Sequence, residues 1–245
     1  MTNHLERPRR PQGGPPLGLL AVISTVLFLA GLLIAALIAH GFPPSPTASA
    51  ATVERYAAAH AASNRVSAFC SFAAAIPLAI YAATANARLH LLGVRAPGAT
   101  IALAGGVLSA GFLALSGLCT WVIAQPDISS SHALVPALVD LGFIVGGPGH
   151  VAMLGLLDAG IAVPALIIGL MPRRLAALGI AIAVVCELST LTLVTSTLFA
   201  LLPIGRFLSL GWLIMAGYLL PTRRSNRYGT NTVTDHAGQP ATVTA

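Results

Sequence analysis

The sequence predicts an all-α bundle of six membrane-spanning helices, and three observations predict it. Of 245 residues, 56% are hydrophobic and 8% charged, with a mean hydropathy of +0.85. A soluble domain carries about 25% charged residues because its surface faces water. Thirteen basic and seven acidic side chains do not clothe a globule of this length. The apolar residues also fall in runs long enough to cross about 30 Å of hydrocarbon at about 1.5 Å per residue. Finally, the basic residues, all arginine, lie mostly between the runs, where they orient helices. These features exclude a soluble enzyme, a disordered chain and a collagen-like fibre. Nucleic-acid binding, which a pI near 10 would suggest, needs a basic face with stacking aromatics, and none is visible.

Taken in order, residues 1–16 hold Arg7, Arg9 and Arg10 among prolines and read as a disordered cytoplasmic start. The first span, 17–39, has no charge. Ala48-Ser49-Ala50 resembles a signal-peptide cleavage site, but such peptides have a shorter apolar core, so the segment is read as an uncleaved span. A Pro-rich loop follows, then an Ala-rich stretch from Ala50 with Glu54, Arg55 and His60 that suits a short interfacial helix. Spans two and three are 66–86 and 98–124, separated by Arg88, His90 and Arg95.

The stretch 133–171 is too long for one straight span and barely enough for two. Gly146-Gly147-Pro148-Gly149 lowers helix propensity and removes one backbone donor, so the helix is expected to stop or kink there. The expected division is an outer half-helix at 133–145, interfacial or re-entrant, followed by span four at 148–171. Pro172-Arg173-Arg174 is a tight inner turn, spans five and six are 175–202 and 205–220, and 222–245 is a polar, disordered cytoplasmic tail.

With the N-terminus inside, ten arginines are cytoplasmic (Arg7, Arg9, Arg10, Arg88, Arg95, Arg173, Arg174, Arg223, Arg224 and Arg227). Arg55, Arg65 and Arg206 are outer, in agreement with the positive-inside rule. No sequence echo between halves supports an inverted repeat.

Ionisable residues inside a membrane are functional hypotheses by default. They are Asp140, Asp158, Glu187 and Arg206, with His150 near the outer end of span four. Helix rise puts Asp158, Glu187 and Arg206 in one layer about 20 Å above the inner boundary. Arg206 is the cation expected to pair with a carboxylate there. The reading adopted is a structural ion pair locking three helices; the alternative is a proton-coupled transporter or ligand-binding centre. Ser189, Thr190, Thr192, Thr195, Ser196 and Thr197 are expected to bond across helices or to line a polar path.

His40, His60, His132 and His150 lie towards the outer side and His90 towards the inner, without HxxxH or HExxH spacing. Loop or interfacial histidines are expected, a haem or quinone redox site being a second alternative. Cys70, Cys119 and Cys186 lie within apolar runs and read as small buried hydrophobes; a Cys70–Cys119 disulfide is conceivable but not favoured. No catalytic elbow, P-loop, dinucleotide fingerprint or zinc spacing occurs, so no catalytic residue, cofactor or metal is assigned.

Leu170-Met171-Pro172-Arg173-Arg174-Leu175 with Gly179, and Pro203-Ile204-Gly205-Arg206-Phe207 with Gly211-Trp212-Leu213-Ile214 and Gly217, resemble a bacterial multi-span membrane family. That family is the domain-of-unknown-function group numbered 4386, and the likeness covers about 133–221. The resemblance implies a bacterial inner-membrane protein with no established activity or cofactor. The expectation is therefore a non-enzymatic, multi-pass plasma-membrane protein in contact with lipid. A second copy or another membrane protein is left open as partner.

Overall fold

The computed structural model describes residues 14–45, 48–129, 131 and 133–222. Within them the chain is all-α, with no strand. Six helical stretches are long and apolar enough to cross a membrane, so the chain is a multi-pass membrane protein. The elements are α1 (Leu17–Ile38), α2 (Ala50–Ala59), α3 (Ala61–Leu91), α4 (Gly98–Ile123), α5 (Pro126–Ser129), α6 (Leu134–Ile144), α7 (His150–Ile168), α8 (Arg173–Leu188) and α9 (Leu201–Leu219). The short helix expected after Ala50 is α2. It caps one end of the bundle, called here the α2 end; the opposite end carries the first residues of α1 and the last of α9.

The third and fourth spans pack where small residues let backbones approach. A Cβ on Gly105 of α4 would lie 2.7 Å from Leu157 N and 2.8 Å from the Met153 carbonyl. One on Gly160 would lie 2.7 Å from the Gly98 carbonyl. The aliphatic core along this seam includes Leu154, Leu157 and Ile161, all fully buried. At the far end, Trp212 is buried over Gly179 and donates its indole N–H to the Leu175 carbonyl at 2.9 Å.

The structure corrects three expected boundaries. First, Gly146-Gly147-Pro148-Gly149 does not stop the helix. Val145–Gly149 is a π turn, and Leu134–Ile168 runs as one 35-residue helical stretch. The π register keeps the backbone paired around the missing proline donor: the His150 N–H reaches the Val145 carbonyl five residues back, and that of Gly147. The segment 133–145 is therefore neither a separate half-helix nor a re-entrant loop. At about 52 Å the stretch exceeds the hydrocarbon thickness. Its first turns meet α2 and the end of α4 in a small second core of Ala57, Ile123 and Val135.

Second, α3 begins at Ala61 rather than near 66. Its early polar residues donate to carbonyls in the last turns of neighbouring helices. Ser63 donates to the Ala35 carbonyl at 2.7 Å and Arg65 to that of Ala124 at 3.3 Å.

Third, the fifth span ends as an α-helix at Leu188. Ser189–Leu193 and Ser196–Leu198 are 3₁₀ turns, with Thr195 extended between them. Ser189, Thr190 and Thr192 donate to carbonyls three residues back, of Cys186, Glu187 and Ser189, at 2.6–2.7 Å. Such local bonds compete with the α-helical ladder. These hydroxyls thus serve their own backbone, rather than crossing to another helix as expected. The sixth span starts correspondingly early, at Leu201, with Pro203 in the first turn where no donor is missed.

Residues 1–13 and 223–245 lie outside the described residues. With them go the expectations for both tails, six of the ten cytoplasmic arginines and His132.

The seam makes a testable contrast between two glycines of α4. Gly105→Ala will lower the melting temperature in detergent, because a methyl there meets backbone on α7. Gly111→Ala will not, because nothing lies within 4 Å of its added Cβ. Equal effects on thermal unfolding would contradict the packing.

Candidate ligand cleft at the α2 end

The sequence places Asp158, Glu187 and Arg206 in one layer with Arg206 paired to a carboxylate. The structure leaves them unpaired. Asp158 is fully buried on α7, where the Ser209 hydroxyl of α9 donates to its Oδ2 and its Oδ1 has no partner. Gly205 lies against Val151 and Cys186, which sets Arg206 level with the start of α7. Val151 is seven residues, about 10 Å, from Asp158 along that helix. Glu187 is exposed near the end of α8, with its carboxylate beside Gly155. No ion pair joins any two of the three.

Arg206 turns instead towards the π segment. Its Nη2 donates to the Gly146 carbonyl, and its guanidinium carbon stands 5.2 Å from the centre of the Phe28 ring. The Gly146 carbonyl is exposed to this contact by the local sequence. In an α-helix it would accept the His150 N–H, which here goes to Val145 and Gly147. Glycine at 146 also admits α4 closely: an added Cβ would lie 2.8 Å from Ser116 Cβ. Ser116 itself donates to the Gly142 carbonyl at 2.8 Å. The Arg206 Nε–H is buried and unpartnered.

His150 is 1% exposed, between α7 and α4. Its Nδ1 lies 3.0 Å from the Ser109 carbonyl and 2.8 Å from the Ser109 hydroxyl, which donates to the His150 carbonyl at 3.0 Å. With the proton on Nδ1, these contacts form one reciprocal clasp between two helices. His60 stacks on Tyr56 with ring centres 4.3 Å apart, and His40 is exposed. The described histidines therefore do not face one another. No group of three His, Cys, Asp or Glu side chains converges among the described residues. Cys70, Cys119 and Cys186 are buried free thiols. Asp140 is exposed on α6 beside a shallow cavity of its own.

Around Arg206 lies a cleft of about 580 Å³ between α1, α3, α4, the π segment and α9. Phe28, Phe143, Phe199 and Phe207 form most of its apolar wall, and Ser67, Ser71, Ser116 and Thr120 supply hydroxyls. Among the described residues, Arg206 is the one charged residue in the lining. A second cavity of about 250 Å³ shares Ser67, Ser116, Thr120, Gly142 and Phe143 with it and extends to Pro43, Tyr56 and Asn64 beneath α2. Sequence reasoning found Arg206 and the glycine cluster but not the hydroxyls or phenylalanines. Ser109 and Ser209 carry no signal in sequence, because their partners lie 41 and 51 residues away. No family model, curated protein or solved structure matches the chain.

The Asp158–Ser209 bond is open to a double-mutant cycle. Ser209→Ala strands a buried carboxyl and Asp158→Ala strands a buried hydroxyl, each costing about 1–3 kcal/mol. Thermal or denaturant unfolding of the two singles and the double will return a coupling of about 0.5–3 kcal/mol. Strictly additive effects would contradict the bond.

Proposed function

We propose that the chain is a multi-pass protein of a bacterial plasma membrane that binds, rather than transforms, a ligand in the cleft around Arg206. The carrying observation is a single guanidinium lining a pocket of about 580 Å³, with one carbonyl as its hydrogen-bonded partner and a buried, unpartnered Nε–H. The volume is in the range of small-molecule sites, about 300–1,000 Å³, and the mix of apolar wall with a few polar groups is theirs too. Among the described residues the lining carries hydroxyls without a histidine, cysteine or carboxylate beside them to act as base, which favours binding over catalysis.

The orientation follows from the arginines. Arg88, Arg95, Arg173 and Arg174 lie at the end that carries the start of α1 and the last turn of α9, while Arg55 and Arg65 lie at the α2 end. The positive-inside rule then makes the α2 end the outer one, with the cleft in the outer half of the bilayer. In this reading the polar residues divide their work. Asp158 with Ser209 and His150 with Ser109 fasten helices, and Arg206 meets the ligand.

Occupancy is testable by native mass spectrometry of the full chain, extracted with its native lipids. The wild type will retain an adduct that Ser67→Phe, which fills the cleft, loses at an unchanged melting temperature. Wild-type protein free of any adduct that this variant loses would contradict the reading.

A further inference from the structure

We infer that the occupant is an anionic amphiphile, its carboxylate or phosphate head at Arg206 and its hydrocarbon tail against the phenylalanine wall; this rests on the cleft being a ligand site. A cation held out of water is costly without a counter-charge, and among the described residues no carboxylate lines this cleft to supply one. The protein gives the guanidinium one carbonyl and the face of Phe28 and leaves Nε–H unserved. A guanidinium offers its donors as a fork whose spacing matches a carboxylate or phosphate, so an anionic head completes the set. Ser67 stands ready to donate a further bond from the side towards α2.

The remainder of the lining selects the tail. Phe28, Leu32, Phe199 and Phe207 offer no polar atom, so a small hydrophilic anion would leave most of the cleft unsatisfied. Phe207 both lines the cleft and is 44% exposed on the side of the bundle, so the cleft opens laterally where lipid chains lie. The smaller cavity beneath α2 continues from the hydroxyl side towards the end of the bundle. Head and tail thus have separate approaches, one from the aqueous face and one from the bilayer.

The same chemistry occurs in single-chain acids and alkyl phosphates and in the headgroups of two-chain anionic lipids. The test uses the full chain in non-ionic detergent, with affinities read from native mass spectrometry and thermal shift. Decanoate is compared with its methyl ester, which lacks the charge and adds one methyl group, and with decyltrimethylammonium; decyl phosphate and dioleoyl phosphatidylglycerol are run alongside. Decanoate or phosphatidylglycerol will bind about tenfold or more tighter than the uncharged and cationic probes, the scale of a charge-assisted hydrogen bond. Arg206→Gln will remove that preference while leaving the methyl ester unchanged. Preference for decanoate and decyl phosphate assigns a single-chain ligand, and preference for phosphatidylglycerol a membrane lipid; either supports the inference. Equal affinity for decanoate and its methyl ester in the wild type, with phosphatidylglycerol bound no tighter than either, would overturn it, and needs no variant to fold. Loss of all binding, with none that Ser67→Phe diminishes, would overturn the ligand site itself.

Discussion

The arrangement depends on one constraint: inside a bilayer the backbone finds no water, so a helix that meets a proline and three glycines must keep its carbonyls paired. The chain meets that constraint at Val145–Gly149 by widening to a π turn rather than stopping. Two consequences follow from that choice. The helix continues for 35 residues and carries its first turns beside α2, which roofs the bundle. The register shift also turns the Gly146 carbonyl towards Arg206 of α9. Thus a local irregularity in one span fixes where the cation of another sits, and the cleft forms around it.

A second theme is economy with buried polarity. Asp158 with Ser209, and His150 with Ser109, tie α7 to α9 and α4 through short side chains rather than ion pairs. Hydroxyls cost little to bury when both hydrogen-bonding roles are filled. Among the described residues that line the cleft, Arg206 is the one charge, and none of opposite sign lies there beside it. Close glycine contacts between α4 and α7 hold these pairs in place without competing polar groups.

Much of the architecture was legible in the sequence because membrane crossing has a strong signature. Length, apolarity and the positions of charge are enough to find six spans. The errors fall where backbone pairing overrules propensity. Gly146-Gly147-Pro148-Gly149 reads as a break, because propensity describes an isolated α-helix and not a π turn sheltered by α4. The Ser/Thr run after Glu187 reads as interhelical glue, because sequence does not say whether a hydroxyl finds its own backbone first. At the site, axial position along each helix was read approximately, but direction was not. Asp158 is buried and Arg206 half-buried within the bundle, yet which face each presents depends on packing. Glu187, counted with them, is exposed on α8. The partners Ser109, Ser209 and Phe28 are ordinary residues whose meaning comes from the fold alone.

The continuity of the long helix through its π turn is the feature on which the cleft rests, and a distance measured in lipid tests it most directly. Spin labels at Leu134→Cys and Ile167→Cys, both exposed positions, would be placed in a background with the three native cysteines replaced. Pulsed electron spin resonance of that variant in nanodiscs reads the separation along the helix. The account predicts about 50 Å for 33 residues of uninterrupted helix. A separation of about 35 Å, as an interfacial half-helix lying across a span of about 30 Å would give, would contradict it.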